Sequence, residues 1–136
     1  MTTTLSSLAR AELINLAADA VISADGSTAT PVDTTQWEGM AQFALTAVAG
    51  GTGALDTFFE ESDVSGSGYT DIPATRVIKA DGTTGNFSQI TTAALAEARI
   101  LNMNECKQFV RVRNDVTGST SITRAVIGFG QKKYQT

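Results

Sequence analysis

Four carboxylates gather in a short stretch of the chain, Glu60, Glu61, Asp63 and Asp71, in Phe58-Phe59-Glu60-Glu61-Ser62-Asp63 and Tyr69-Thr70-Asp71-Ile72-Pro73. Hard cations such as calcium take several oxygen ligands from one turn, so the group is a candidate cation site. Its spacing is not that of an EF-hand loop, and a strand would send Glu60 and Glu61 to opposite faces; the other reading is a solvated strand end. A glycosidase would need one acid in an apolar pocket and a second at a fixed distance, and nothing selects such a pair. Gly50-Gly51-Thr52-Gly53 could be taken for a phosphate cradle, but no Lys-Ser/Thr follows and no helix opens after it, so a turn is expected. Cys106 lies between Glu105 and Lys107. A neighbouring lysine lowers a thiol pKa, yet no base or second cysteine accompanies it, and a structural thiol is the default.

The chain contains 1 Cys and 0 His. That removes intramolecular disulfides, Ser-His-Asp and Cys-His catalysis and His-ligated zinc. The expectation is a protein that is not an enzyme, with no cofactor and no metal. Asn86-Phe87-Ser88 matches a glycosylation triplet, which carries no meaning without a secretion signal.

Arg111 and Arg113 alternate with Val110 and Val112 and share a face with Phe109. They form either a cationic stripe for an acidic partner or an ordinary exposed strand face. At 136 residues the chain is one domain's worth. Its composition, 42% hydrophobic and 18% charged, falls below the charged fraction of roughly a quarter usual in soluble domains, which suggests surface covered by another chain. A net charge of −4 argues against direct nucleic-acid binding, which draws on clustered Lys and Arg. The start, Met-Thr-Thr-Thr-Leu-Ser-Ser, lacks the basic and apolar regions of a secretory signal, and no apolar run is long enough to span a membrane. A cytoplasmic product, released only by lysis, is expected.

These groups must be positioned by strands. Trp37, Phe43 and Leu45 alternate with polar positions and should point inward. Gly50 to Gly53 should close a hairpin, with Leu55, Thr57 and Phe59 on the inner face of the returning strand. Phe58 then stands on the face that should be wet, under a loop or a partner. Ser62 to Gly68 should reverse the chain into Tyr69–Ile72. Arg76 to Lys79 reads as a short strand ending at Asp81-Gly82, and Ile90 to Met103 as a turn or short helix followed by a strand over Arg99 to Met103. Gln108 to Asn114 should pair with Ser121 to Phe129. Seven or eight strands at such spacing define an antiparallel β-sandwich, jelly-roll-like. From Ser6 or Ser7 to Ile22, Leu8, Leu13, Leu16, Ala17 and Ala20 recur at three to five residues, a helical pattern with a narrow apolar face. The alternative is an extended arm whose later part, Ala20 to Ser23, pairs as a strand. The division expected is an amino-terminal arm and linker over 1–31, a core over 32–130 and a tail over 131–136.

The collinear order from Val32 to Phe129 resembles a family of small β-sandwich structural proteins from the head and tail gene clusters of tailed bacteriophages. The resemblance rests on Asp33-Thr34 before a first long strand, Ala44 to Gly53 running into a glycine turn, Glu61-Ser62-Asp63, Tyr69-Thr70-Asp71-Ile72, and the late strand Phe109-Val110-Arg111-Val112. Val64-Ser65-Gly66-Ser67-Gly68 departs from the family's compact Asp-Gly turn, and the amino-terminal segment lies outside it. It implies a capsid decoration or cement protein on the outside of a virion, made in the bacterial cytoplasm. Its partners would be the major capsid protein and itself, as a trimer. A tail or head–tail junction component is the alternative within that class, and a carbohydrate-binding sandwich the alternative outside it. Candidate partner contacts are Leu8, Leu13 and Leu16 in the arm, Phe58, Arg111 and Arg113 on the strands, and Tyr134 in the tail. A small-molecule ligand is not expected.

Overall fold

The structure, a computed structural model, describes residues 11–48 and 50–133. Ten strands follow in order: β1 (Ala11–Ile22), β2 (Gly26–Ser27), β3 (Val32–Asp33), β4 (Trp37–Val48), β5 (Ala54–Ser62), β6 (Thr70–Asp71), β7 (Ile78–Lys79), β8 (Leu95–Asn102), β9 (Phe109–Thr117) and β10 (Ile122–Lys132). Sheet one runs β1-β10-β4-β8-β7; sheet two runs β2-β9-β5-β6, with β3 also on β9. All pairings are antiparallel, and one set of them is nested. The first strand pairs with the last, β2 and β3 with β9, β4 with β8, and β5 with β6. This is a jelly roll, a hairpin of the whole chain rolled into two sheets. The expected all-β sandwich is therefore present; four of its strands are only two residues long.

The helical reading of Ser6 or Ser7 to Ile22 is corrected over Ala11–Ile22, its part within the described residues. Ala11–Ile22 is a strand on β10, from Ala11↔Gln131 to Ile22↔Ile122, with register shifts between Asn15 and Ala17 and between Ala17 and Ala20. These irregularities reset the two-residue alternation, and the residues of the helical pattern come from both faces: Leu16 and Ala17 point inward, Leu13 and Ala20 outward. Cross-strand pairing overrides local helix propensity. Residues 11–22 thus lie within the sandwich rather than on an arm outside it, and β10 takes in Gln131 and Lys132. Leu8 and Tyr134 lie outside the described residues.

Two expected hairpins are also corrected. Gly50 to Gly53 carries the chain from sheet one to sheet two, since β4 and β5 lie in different sheets. Likewise β9 joins β5, whereas β10 joins β1 and β4, so Gln108–Asn114 does not pair with Ser121–Phe129. The two crossovers pack on each other: the amides of Thr52 and Gly53 donate to Ser119 O at 2.9 and 2.8 Å. A Cβ on Gly53 would sit 2.3 Å from Thr117 O, so glycine is required by close approach. The strand expected over Arg99–Met103 begins earlier, at Leu95. The Glu60/Glu61 to Asp71/Thr70 reversal forms as read.

Inside, Phe43 of sheet one meets Phe59 of sheet two edge-on at 5.5 Å, and Phe59 meets Phe87 at 5.3 Å. Each such pair is worth about 0.5–1.5 kcal/mol beyond burial. Gly128 leaves room for the Phe43 ring, 2.5 Å from where its Cβ would stand. Trp37, Phe43 and Leu45 point inward as expected.

Candidate functional site: an uncharged sheet face

The two outer faces of the sandwich differ in chemistry. On sheet two, Phe58 stands opposite Arg113 and Glu60 opposite Arg111. The Arg113 guanidinium lies 4.6 Å over the Phe58 ring, and Arg111 lies 3.7 Å over Tyr69. Arg111 Nε donates to Glu60 Oε1 at 2.5 Å, Ser27 Oγ donates to the same oxygen at 2.7 Å, and Arg113 donates to both oxygens of Asp71 at 3.0 Å and to Asp115. The hydrogen bonds that Arg113 donates to Asp71 and then to Asp115 raise its pKa further although burial opposes it. The expected cationic stripe is thus matched by the chain's own carboxylates, and Phe58 is roofed by Arg113 rather than left wet.

The acidic residues do not converge. Glu60 faces Arg111, Asp71 faces Arg113, Asp63 is exposed, and Glu61 turns to the end of the sandwich. Among the described residues no group of three or more Asp, Glu, Cys or His is placed to hold a metal ion. Glu61 accepts both Arg76 Nη1 at 2.7 Å and Arg76 Nη2 at 3.1 Å, plus the Lys107 amide at 3.0 Å. Burial raises its pKa, but the Arg76 and Lys107 hydrogen bonds win and hold it below the ordinary value. A carboxyl depressed on folding stabilises fully above its unfolded pKa and loses that contribution as pH falls through the folded one. Glu61→Gln is therefore expected to be less stable than the parent at neutral pH, by about 1–3 kcal/mol, with the gap narrowing below about pH 4; urea melts across pH measure it. Cys106, close by, is pushed up to about 11 by burial, which outweighs Arg76, and its thiol stays protonated.

The outer face of sheet one carries no such pairs. Register places its residues in cross-strand rows. Met40 lies beside Asn102. The next rows are Ile100–Gln42–Phe129–Leu13, Ala98–Ala44–Ile127–Asn15 and Ala96–Thr46–Ala125, and the last is Val48–Thr123–Val21. These rows contain no Asp, Glu, Lys or Arg. Leu13, Val21, Met40, Val48, Ile127 and Phe129 are the large apolar side chains left open there, with Leu13 at 73% and Phe129 at 53% exposure. Charge returns only at the margins, at Glu38 beside a shallow depression of about 490 Å³ under Phe129 and at Asp19 beside a second of about 410 Å³. An apolar patch with a polar rim is the pattern of a protein–protein interface.

Of the sequence-read contacts, Leu13 lies on this face, Leu16 is buried in the core, and Phe58, Arg111 and Arg113 lie on the opposite, self-paired face. Ile127, Phe129, Met40 and Val48 were missed, although the period-two pattern of β4 and β10 assigns them to the outside; Val21, on the bulged β1, was missed as well. Also missed was Arg124, 1% exposed between inward Ile122 and Val126. Its Nη1 donates to Thr57 Oγ1 at 3.2 Å and to Asn114 Oδ1.

The fold defines the class, a jelly-roll β-sandwich. The SPBc2 prophage-derived protein YomS is a structural relative with TM-score 0.54 over 88% of this chain and 91% of that one, at 9% identity. A structure of disulfide-linked pili from Bacillus endospore appendages matches at TM-score 0.45, 11% identity, over 90% of this chain and 88% of that one. The infectious bursal disease virus VP2 subviral particle matches at TM-score 0.43, 12% identity, over 90% of this chain and 33% of that one. At such identities the likeness is one of fold. No family model matches the sequence, and no curated protein matches it.

Proposed function

We propose that the chain is a non-enzymatic structural protein of a tailed-phage virion, a capsid decoration or cement protein that assembles through the outer face of sheet one. The observation that carries the reading is that face: five cross-strand rows without a charged residue, in a chain whose other face is saturated with its own ion pairs. Four strands at about 4.8 Å spacing and about nine residues at 3.4 Å rise give roughly 600 Å². That is about three quarters of the about 800 Å² per partner of a stable interface. A second copy of the chain is the occupant, because an uncharged face is self-complementary without any need for matched charges. The jelly-roll fold and the resemblance of Val32 to Phe129 to structural proteins from head and tail gene clusters favour attachment of the resulting oligomer to the major capsid protein on the capsid exterior. Many modest contacts repeated over a lattice add by multivalency. Of the four rings that a carbohydrate-binding platform could use, Trp37 is buried, Phe58 and Tyr69 lie under arginines, and Tyr134 lies outside the described residues, which disfavours that alternative.

Mixing the protein with emptied heads of the parent phage tests attachment. Saturable co-sedimentation, with heads more resistant to heat, is expected. A protein that stays in the supernatant rejects the decoration role and leaves the tail or junction role, whereas retention on polysaccharide moves it to the sugar-binding class.

A further inference from the structure

Arg124 occupies a position that a core rarely gives to a cation. Among the described residues Arg76, Arg99, Arg111 and Arg113 each meet a carboxylate. Arg124, the most buried of them, meets only the neutral oxygens of Thr57 and Asn114, and its Nε is buried with no acceptor. Burial lowers its pKa to about 10, so the guanidinium remains charged at neutral pH. An uncompensated charge in an apolar interior costs several kcal/mol, and a buried donor without an acceptor adds to that cost. The side chain lines a cavity of about 390 Å³ that opens between β1 and residues 27–30, where the edges of the two sheets stand apart. Asn15, Ser27 and Thr28 add polar groups, and Leu16 and Ile22 add apolar wall. Exposed Ala18, Ala20 and Ala29 at its border leave it accessible from solvent.

We infer that this cavity is a carboxylate-binding site, with the Arg124 guanidinium as the counter-charge and Asn114 as the residue that orients it. One guanidinium matches one negative charge; a phosphate dianion would leave the second charge unmatched in the same apolar surroundings. The apolar wall suits a short aliphatic stem behind the carboxylate. That chemistry comes either from a free small carboxylic acid or from an Asp or Glu side chain of a second copy. The inference is independent of the sheet-one face, which lies on the other side of β10.

The test uses the full chain, labelled with ¹⁵N-arginine and titrated with acetate against chloride at matched ionic strength. Arg124→Met identifies the Arg124 Nε–H resonance by its loss. The expected result is a saturable shift of that resonance and a Tm that climbs with acetate concentration, the climb being absent in Arg124→Met. If the oligomer mass is unchanged, the natural ligand is a free acid; if acetate lowers the mass, it displaces a carboxylate from a neighbouring copy. Should Arg124→Met fail to fold, the wild-type spectrum is still decisive, because slow hydrogen exchange sets the buried Nε–H groups of Arg124 and Arg99 apart from the more exposed arginines, and Arg99→Lys identifies the Arg99 resonance. An Nε–H resonance that does not respond to acetate overturns the inference and leaves water as the occupant.

Discussion

A chain that begins at Ser23 is expected not to fold. β1 contributes Ile14, Leu16 and Ala17 to the core, and burying a large aliphatic side chain is worth about 1.5–3 kcal/mol. Ile14 and Leu16 alone therefore supply roughly 3–6 kcal/mol. Removing β1 also bares the ladder of β10 from Ile122 to Gln131 and takes away the β1 wall of the cavity beside Arg124. Against a total stability of about 5–15 kcal/mol for a domain, that loss takes most or all of the margin. Far-UV circular dichroism and thermal melting of the truncated chain would show no cooperative transition at a temperature where the full chain is native. A cooperative melt like that of the full chain would mean that β1 is a detachable arm, as the amino-terminal periodicity suggests.

The contrast between that periodicity and the strand explains what the sequence makes legible. Where alternation runs unbroken, as from Ala41 to Val48 and from Leu55 to Phe59, strand, face and inward residues can be read directly. Where a strand is bulged, as at Asn15–Ala20, the apolar spacing imitates a helix. Pairing is harder to read than strandedness, because among the described residues only β5–β6 and β7–β8 pair strands that follow each other in the chain; β1–β10, β2–β9 and β4–β8 each join distant parts of it. A glycine loop between two strands looks the same whether it closes a hairpin or crosses between sheets. Gly50 and Gly53 are required by contact with Ser121 and Thr117, far along the chain.

The candidate site divides in the same way. Arg111 and Arg113 are visible in sequence as a cationic alternation, but their neutralisation by Glu60, Asp71 and Asp115 depends on β5, β6 and β9 lying side by side. The apolar character of sheet one's outer face is spread over β1, β10, β4 and β8, with few residues from each. No single segment displays it. Arg124 sits in a strict alternation with Ile122 and Val126, so its inward position was legible, whereas its lack of a carboxylate partner was not.

The second large effect concerns that face. Ile127 and Phe129 stand at its centre, beside Ala44 and Gln42 on one side and Asn15 and Leu13 on the other. Replacing both with glutamate, Ile127→Glu with Phe129→Glu, places two charges per copy in the middle of a self-complementary contact. Like charges brought together across an apolar interface cost several kcal/mol, so association is expected to weaken by about three orders of magnitude or more. Because both side chains are already about half exposed, at 47% and 53%, the fold itself should tolerate the change, and an unaltered circular dichroism spectrum checks that. Sedimentation equilibrium of the parent and of this double variant over a dilution series is the most direct measurement of the assembly reading. The account predicts a stable oligomer for the parent and a protomer for the variant. A parent that is monomeric throughout the series, or a variant that keeps the parent's mass, would contradict it.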